Sequence, residues 1–163
     1  MIEIIEELQR DAAERLLAEL QEDHDFGSIQ DVLNKPHVFR VKIYAKDFDD
    51  ILINSSTELR ELQQSEYPNL SAVIRSIIAE DNFLNRIHGN RGLSGIIVKK
   101  YRDEFLKNNL KPESFFIVDR IDYPQMNKNG LFYVRDGMHH LVAYGLATKM
   151  NEDAFPIIGY YCK

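Results

Sequence analysis

The stretch that decides the fold is YVRDGMHHLVAYGLA, residues 133–147. Its first residues have the composition of a strand, Asp136-Gly137 predicts a sharp turn, and a helix is expected to begin near Met138. Glycine lets the backbone turn tightly and leaves room for a ligand to approach. The first turn of the helix then offers free N–H groups and the positive end of the helix dipole. The junction therefore predicts a site for phosphate or another anion, or else a plain strand–turn–helix connection with two surface histidines.

The predicted site residues follow from this junction. Gly137, Met138 and His140 are expected to bind the ligand at the helix start, and His139 and His140 can donate hydrogen bonds or carry protons near neutral pH. Asp136 is placed to hold Mg²⁺ through water beside a bound nucleotide, so it is the predicted metal ligand. Adjacent histidines point about 100° apart on a helix, which disfavours a histidine metal clamp.

The flanks of the junction predict a small sheet. Residues 115–123 and 131–135 read as two strands, and Asn129-Gly130 before the second strand is a strong signal for an antiparallel hairpin. Residues 155–162 predict a last strand. Further upstream, residues 38–44 alternate apolar and basic side chains in the pattern of a half-buried strand.

The rest of the chain reads as mostly helical. Residues 2–21 place apolar side chains at steps of three and four, which predicts one amphipathic helix that either packs on its own core or pairs with a second copy. Residues 22–36 are polar and predict a loop. The expected remaining elements are a helix from a Ser55/Glu58 capping box to about 64, a helix capped by Asn69 and ending before Gly89, a short strand over 96–98 and an exposed helix over 99–109.

These elements predict an α+β fold in one domain over residues 1–163. Residues 1–36 would form an N-terminal helix and loop, and residues 37–114 a mixed helical region with short strands. Residues 115–163 would form a C-terminal strand–turn–helix–strand core that follows this helical N-terminal half. The chain has one cysteine, Cys162, which excludes a disulfide framework. No apolar run approaches the ~18 residues of a membrane helix, and no secretory leader is visible. We therefore expect a cytoplasmic protein without membrane contact.

Charge is distributed unevenly. The net charge of −6 argues against a general nucleic-acid binder. Residues 1–31 hold ten acidic and two basic side chains, whereas residues 83–111 hold seven basic and two acidic ones. One interpretation is that both segments are solvated faces. Alternatively, the acidic segment 1–31 lies against the basic segment 83–111, or the basic segment faces an anionic ligand.

The loop HGNRGLSG, residues 88–95, is a second candidate for anion binding. Its glycines, with Arg91 and Ser94, could wrap an anion with backbone N–H groups. The spacing matches neither a P-loop nor a dinucleotide fingerprint, so a plain helix-to-strand connection is the alternative. If this loop lies beside the Asp136 turn, Arg91 would supply a cation there.

The segment from Asp136 to Ala147 resembles the signature turn of the ParB/sulfiredoxin-like superfamily. The box Asp136-Gly137-Met138-His139-His140 is followed by small and apolar helix residues, and PIIGYYC at 156–162 is similar to the strand that closes the family's core. The resemblance covers about residues 115–162. It implies a nucleotide bound by its phosphates at this box, since known members bind and hydrolyse CTP, use ATP to reduce a sulfinic acid, or phosphorylate a small molecule.

Three departures from the family bear on function. His140 stands where the box has an arginine, and histidine lacks the planar fork that grips phosphate. Met138 stands where sulfiredoxins carry their catalytic cysteine, so sulfinic-acid reduction is excluded. Only a short loop joins the 115–123 strand to the box, where the family inserts a helix and a strand. Either residues 70–98 supply these elements, which implies an altered order, or the resemblance is local.

Two functions follow. In the first, the chain is a phosphoryl-transfer or nucleotide-hydrolysing enzyme in which Asp136 holds Mg²⁺ or acts as base and His139 contacts the transferred phosphoryl group. In the second, it is a non-catalytic member that acts as a protein-interaction module or forms a homodimer through residues 2–21. A nuclease is disfavoured by the acidic net charge.

Overall fold

Six strands form one mixed sheet in the computed structural model, which describes residues 1–20, 34–53, 68–80, 82–87, 93–107, 115–120 and 130–163. The strands are β1 (Glu3–Glu7), β2 (Val38–Ile43), β3 (Ile51–Leu52), β4 (Phe116–Asp119), β5 (Phe132–Asp136) and β6 (Ile157–Cys162). The helices are α1 (Arg10–Leu20), α2 (Leu70–Ala79), α3 (Phe83–Arg86), α4 (Gly95–Leu106) and α5 (Met138–Ala147), with a 3₁₀ helix over Ala45–Asp50. The predicted α+β class is confirmed.

The strand order across the sheet is β1-β2-β6-β4-β5-β3. Neighbours are antiparallel except for β6 beside β4 and β5 beside β3, which are parallel. The antiparallel pairing of β4 with β5 confirms the predicted hairpin strands, and β2 and β6 confirm the strands predicted at 38–44 and 155–162. The last strand of the chain therefore lies in the interior of the sheet.

The alternation of side chains along the strands gives the sheet two apolar faces. One face carries Val41, Ile117 and Val134 and packs against the larger helical layer, where α5 contacts both α4 and α2. The opposite face carries a smaller cluster that includes Val118 and Cys162 and is covered by α1. Burial on both faces explains why β4 reads as an unbroken apolar run, FFIV, rather than as an alternating strand.

The helix predicted over residues 2–21 is wrong in its first half. Glu3–Glu7 form strand β1, and the helix begins only at Arg10. The strand pairs antiparallel with β2, and across this ladder Glu3 lies 3.0 Å from Lys42 and Glu6 lies 3.5 Å from Arg40. The N-terminal half is thus not simply helical, since it supplies three strands of the sheet.

The apolar stripe of α1 packs on its own sheet. Ala13 is buried, and Leu8 and Leu16 are partly buried against the smaller apolar cluster. Of the two ways to cover this stripe, docking on the chain's own core is the one observed. The exposed apolar side chains that remain between residues 1 and 20 include Ile4 and Ile5 of β1.

The strand predicted over residues 96–98 is wrong, because these residues lie in the first turn of α4. Ser94 caps the helix, its Oγ accepting a hydrogen bond from the backbone N–H of Ile97 at 3.5 Å. Three apolar residues are too few to show either helical or strand periodicity. The serine cap was the signal for the helix.

Residues 68–98 supply helices and no strand of the described sheet. Asn69 caps α2 as predicted, its side chain accepting from the backbone N–H of Ala72 at 2.9 Å. The predicted helix breaks at Glu80, and a short α3 follows. The outer neighbour of β5 is β3, from residues 51–52.

Some predictions fall outside the described residues. Most of the 22–36 loop, the 55–64 helix and the glycines at 89 and 92 belong to this group. Among the helices that are described, none is long and apolar enough to cross a membrane.

Candidate functional site

The candidate site lies where β5 passes into α5. Gly137 adopts the left-handed conformation, with φ 88° and ψ 18°, which a residue with a side chain rarely adopts. Its backbone N–H donates to Oδ1 of Asp136 at 2.6 Å, and its carbonyl accepts from Leu141 N at 3.1 Å as the first bond of the helix. The predicted turn at Asp136-Gly137 and the helix start at Met138 are confirmed.

The N-cap of α5 is Gly137, which has no side chain to accept from the first N–H groups of the helix. The first N–H groups of a helix have no partner within the helix, and they carry the positive end of its dipole. A phosphate oxygen satisfies such groups directly. Gly137 and Met138, predicted to bind the ligand, stand at this end of the helix.

His139 ties the helix start to the loop before α4. Its Nε2 accepts a hydrogen bond from the backbone N–H of Ser94 at 2.9 Å. Because Nε2 is the acceptor, the proton of the neutral ring is assigned to Nδ1. Burial lowers the pKa of His139, and the nearby charge of Asp136 partly opposes that effect. The ring is therefore held neutral near pH 7.

The same hydrogen bond brings two helix starts together, since Ser94 is the N-cap of α4 and His139 lies in the first turn of α5. The contacts then advance in the same direction along both helices: Tyr101 packs on His140 and Phe105 on Tyr144. The two helices thus place their positive dipole ends side by side. Two adjacent helix N-termini attract an anion more strongly than one.

Gly95 allows α4 to begin this close to the preceding helix. Its N–H donates to the carbonyl of Ile87 at 3.0 Å. A Cβ on Gly95 would lie 1.7 Å from the carbonyl oxygen of Leu84, so any side chain would force the two segments apart. This glycine fixes the position of Ser94, and with it the donor that meets His139.

His140, the second histidine predicted to bind the ligand, lies against α4. Its ring stacks on Tyr101 of α4, with centroids 3.9 Å apart and planes inclined by 16°. The residue predicted to replace the family's arginine therefore packs against an aromatic ring. Tyr101 was missed by sequence reasoning, because nothing in residues 99–109 distinguishes it from an exposed helix residue.

The predicted site residues separate into three groups. Asp136, Gly137, Met138 and His139 lie together at the junction, and Ser94 joins them through its backbone. His140 is half-buried on the α4 side. Arg91 lies outside the described residues, so its predicted role stays a prediction.

For Mg²⁺ the junction offers one carboxylate, Asp136, whose Oδ1 already accepts from Gly137. Among the described residues, no group of three or more histidine, cysteine, aspartate or glutamate side chains is placed to hold a metal ion. This fits Mg²⁺ held by one carboxylate, water and the phosphates of a ligand, which is a common arrangement in phosphate sites.

Comparison with protein-family models, with curated proteins and with solved structures found no match for the chain.

Proposed function

We propose that this chain binds a nucleotide or another small phosphorylated ligand where the N-termini of α4 and α5 meet. The observation that carries the proposal is the Ser94–His139 hydrogen bond, because it joins the starts of two helices. The N-cap of α5 is the left-handed Gly137, which has no side chain to accept from the first N–H groups of the helix, so these are the proposed donors to phosphate. The resemblance of residues 115–162 to the ParB/sulfiredoxin-like core supports the same ligand class.

Each residue of the junction has a stated role in this proposal. Backbone N–H groups of Met138 and His139 bind phosphate oxygens, and Gly137 leaves them accessible. Asp136 holds Mg²⁺ beside the phosphates. The side chain of His139 accepts from the backbone of Ser94 and so holds the start of α4 beside the start of α5. It does not itself bind the phosphate.

The proposed function divides into phosphoryl transfer and binding alone. The engaged Nε2 of His139 favours binding alone, because a ring nitrogen that accepts from Ser94 does not at the same time contact a phosphoryl group. Asp136 keeps a role in either case, as a metal ligand or as a base. Turnover of whichever nucleotide binds decides between the two.

The test is a thermal-shift panel of nucleotides and inorganic phosphate, each with and without Mg²⁺. A ligand at roughly 100 times its Kd stabilises the native state by about 2.7 kcal/mol. We expect a shift for at least one nucleotide. No shift for any nucleotide or for phosphate would overturn the proposal.

Asp136→Asn makes the test specific to the site. Asparagine keeps an oxygen to accept from Gly137 but removes the charge that repels phosphate and attracts Mg²⁺. The variant should bind the ligand more tightly than the native protein without Mg²⁺, and should gain less from adding Mg²⁺. A matched control is Asp153→Asn, an exposed aspartate in the turn before β6. Equal effects of the two changes would place the phosphates elsewhere.

A further inference from the structure

We draw no further inference here: the strongest candidate, the cluster of half-buried aromatic side chains on β2, β5 and β6 (Phe39, Phe132 and Tyr161), where Asp119 accepts from the Tyr161 hydroxyl and Lys163 lies over two of the rings, carries nothing, because the cation on these rings is the chain's own lysine and no other observation on the described residues points to a ligand there.

Discussion

Replacing His139 with glutamine should remove part of the pH dependence of folding stability. The ring accepts a hydrogen bond from Ser94 N through Nε2, and only the neutral imidazole can do so. Burial lowers the pKa of His139 from its ordinary value of 6.5. The folded state therefore binds this proton less tightly than the unfolded chain does.

The sign of the effect follows from this difference. Well above pH 6.5 the ring is neutral in both states, and His139 makes its full contribution to stability. As the pH falls from there through the lowered pKa of the folded state, the unfolded chain takes up a proton first and stability is lost. One proton sets the steepest slope, about 1.4 kcal/mol per pH unit.

Two substitutions separate the proton from the hydrogen bond. Glutamine places an amide oxygen near the position of Nε2, so His139→Gln keeps an acceptor for Ser94 and cannot titrate. His139→Ala leaves the Ser94 N–H without its acceptor, which costs about 1–3 kcal/mol at any pH. At pH 8 we expect His139→Gln to be close to the native protein in stability and His139→Ala to be clearly lower.

The assay is urea unfolding followed by far-ultraviolet circular dichroism at several pH values between 8 and 5.5. The quantity of interest is the free energy of unfolding of the native protein minus that of His139→Gln, which should fall as the pH falls. His37→Gln, an exposed histidine at the start of β2, keeps His139 and should keep its contribution. A difference that stays constant with pH, or rises toward acid, would refute the account of His139 as a buried neutral acceptor.

Three glycine substitutions test the packing that positions the site, with unfolding free energies as the measurement. Gly95→Ala should cost about 3 kcal/mol, because its Cβ would lie 1.7 Å from the carbonyl oxygen of Leu84; a loss within about 0.5 kcal/mol would contradict the close approach. A Cβ on Gly145 would lie 2.3 Å from Cδ1 of Ile74, an atom that Ile74→Val removes. The double variant Gly145→Ala/Ile74→Val should therefore lose at least about 1 kcal/mol less unfolding free energy than the sum of the losses of the two single variants. Gly137→Ala should cost about 1–2 kcal/mol for its left-handed backbone and Gly137→Asn less; equal costs would exclude backbone strain as the cause.

The elements that the sequence predicted correctly are those determined by residues close together along the chain. The turn at Asp136-Gly137 needs a glycine at one backbone position, and Asn69 caps α2 with its own side chain. Strands β2, β4, β5 and β6 were visible because their composition and boundaries match the strand pattern over four or more residues. Each of these features depends on neighbours a few positions away.

The parts that sequence missed depend on distant residues. Glu3–Glu7 form a strand by pairing with β2, which follows them by more than 30 positions along the chain. The stack of His140 on Tyr101 and the bond from Ser94 to His139 join positions 39 and 45 residues apart. A charge argument suggested that the 88–95 loop lies near the turn. No pattern in the sequence specified which atoms meet.

The position of β6 inside the sheet has a consequence for synthesis. β6 pairs with β2 on one side and with β4 on the other, yet it follows Ile43 by more than a hundred residues. At about 5–20 residues per second, β2 waits roughly 6–25 s on the ribosome before its partner is made. Throughout that interval the edge of β2 that will pair with β6 keeps open backbone groups, and once residues 116–119 have been made the matching edge of β4 is open as well. The nascent chain therefore passes through a stage in which it needs protection from aggregation, and translation speed should affect the yield of folded protein.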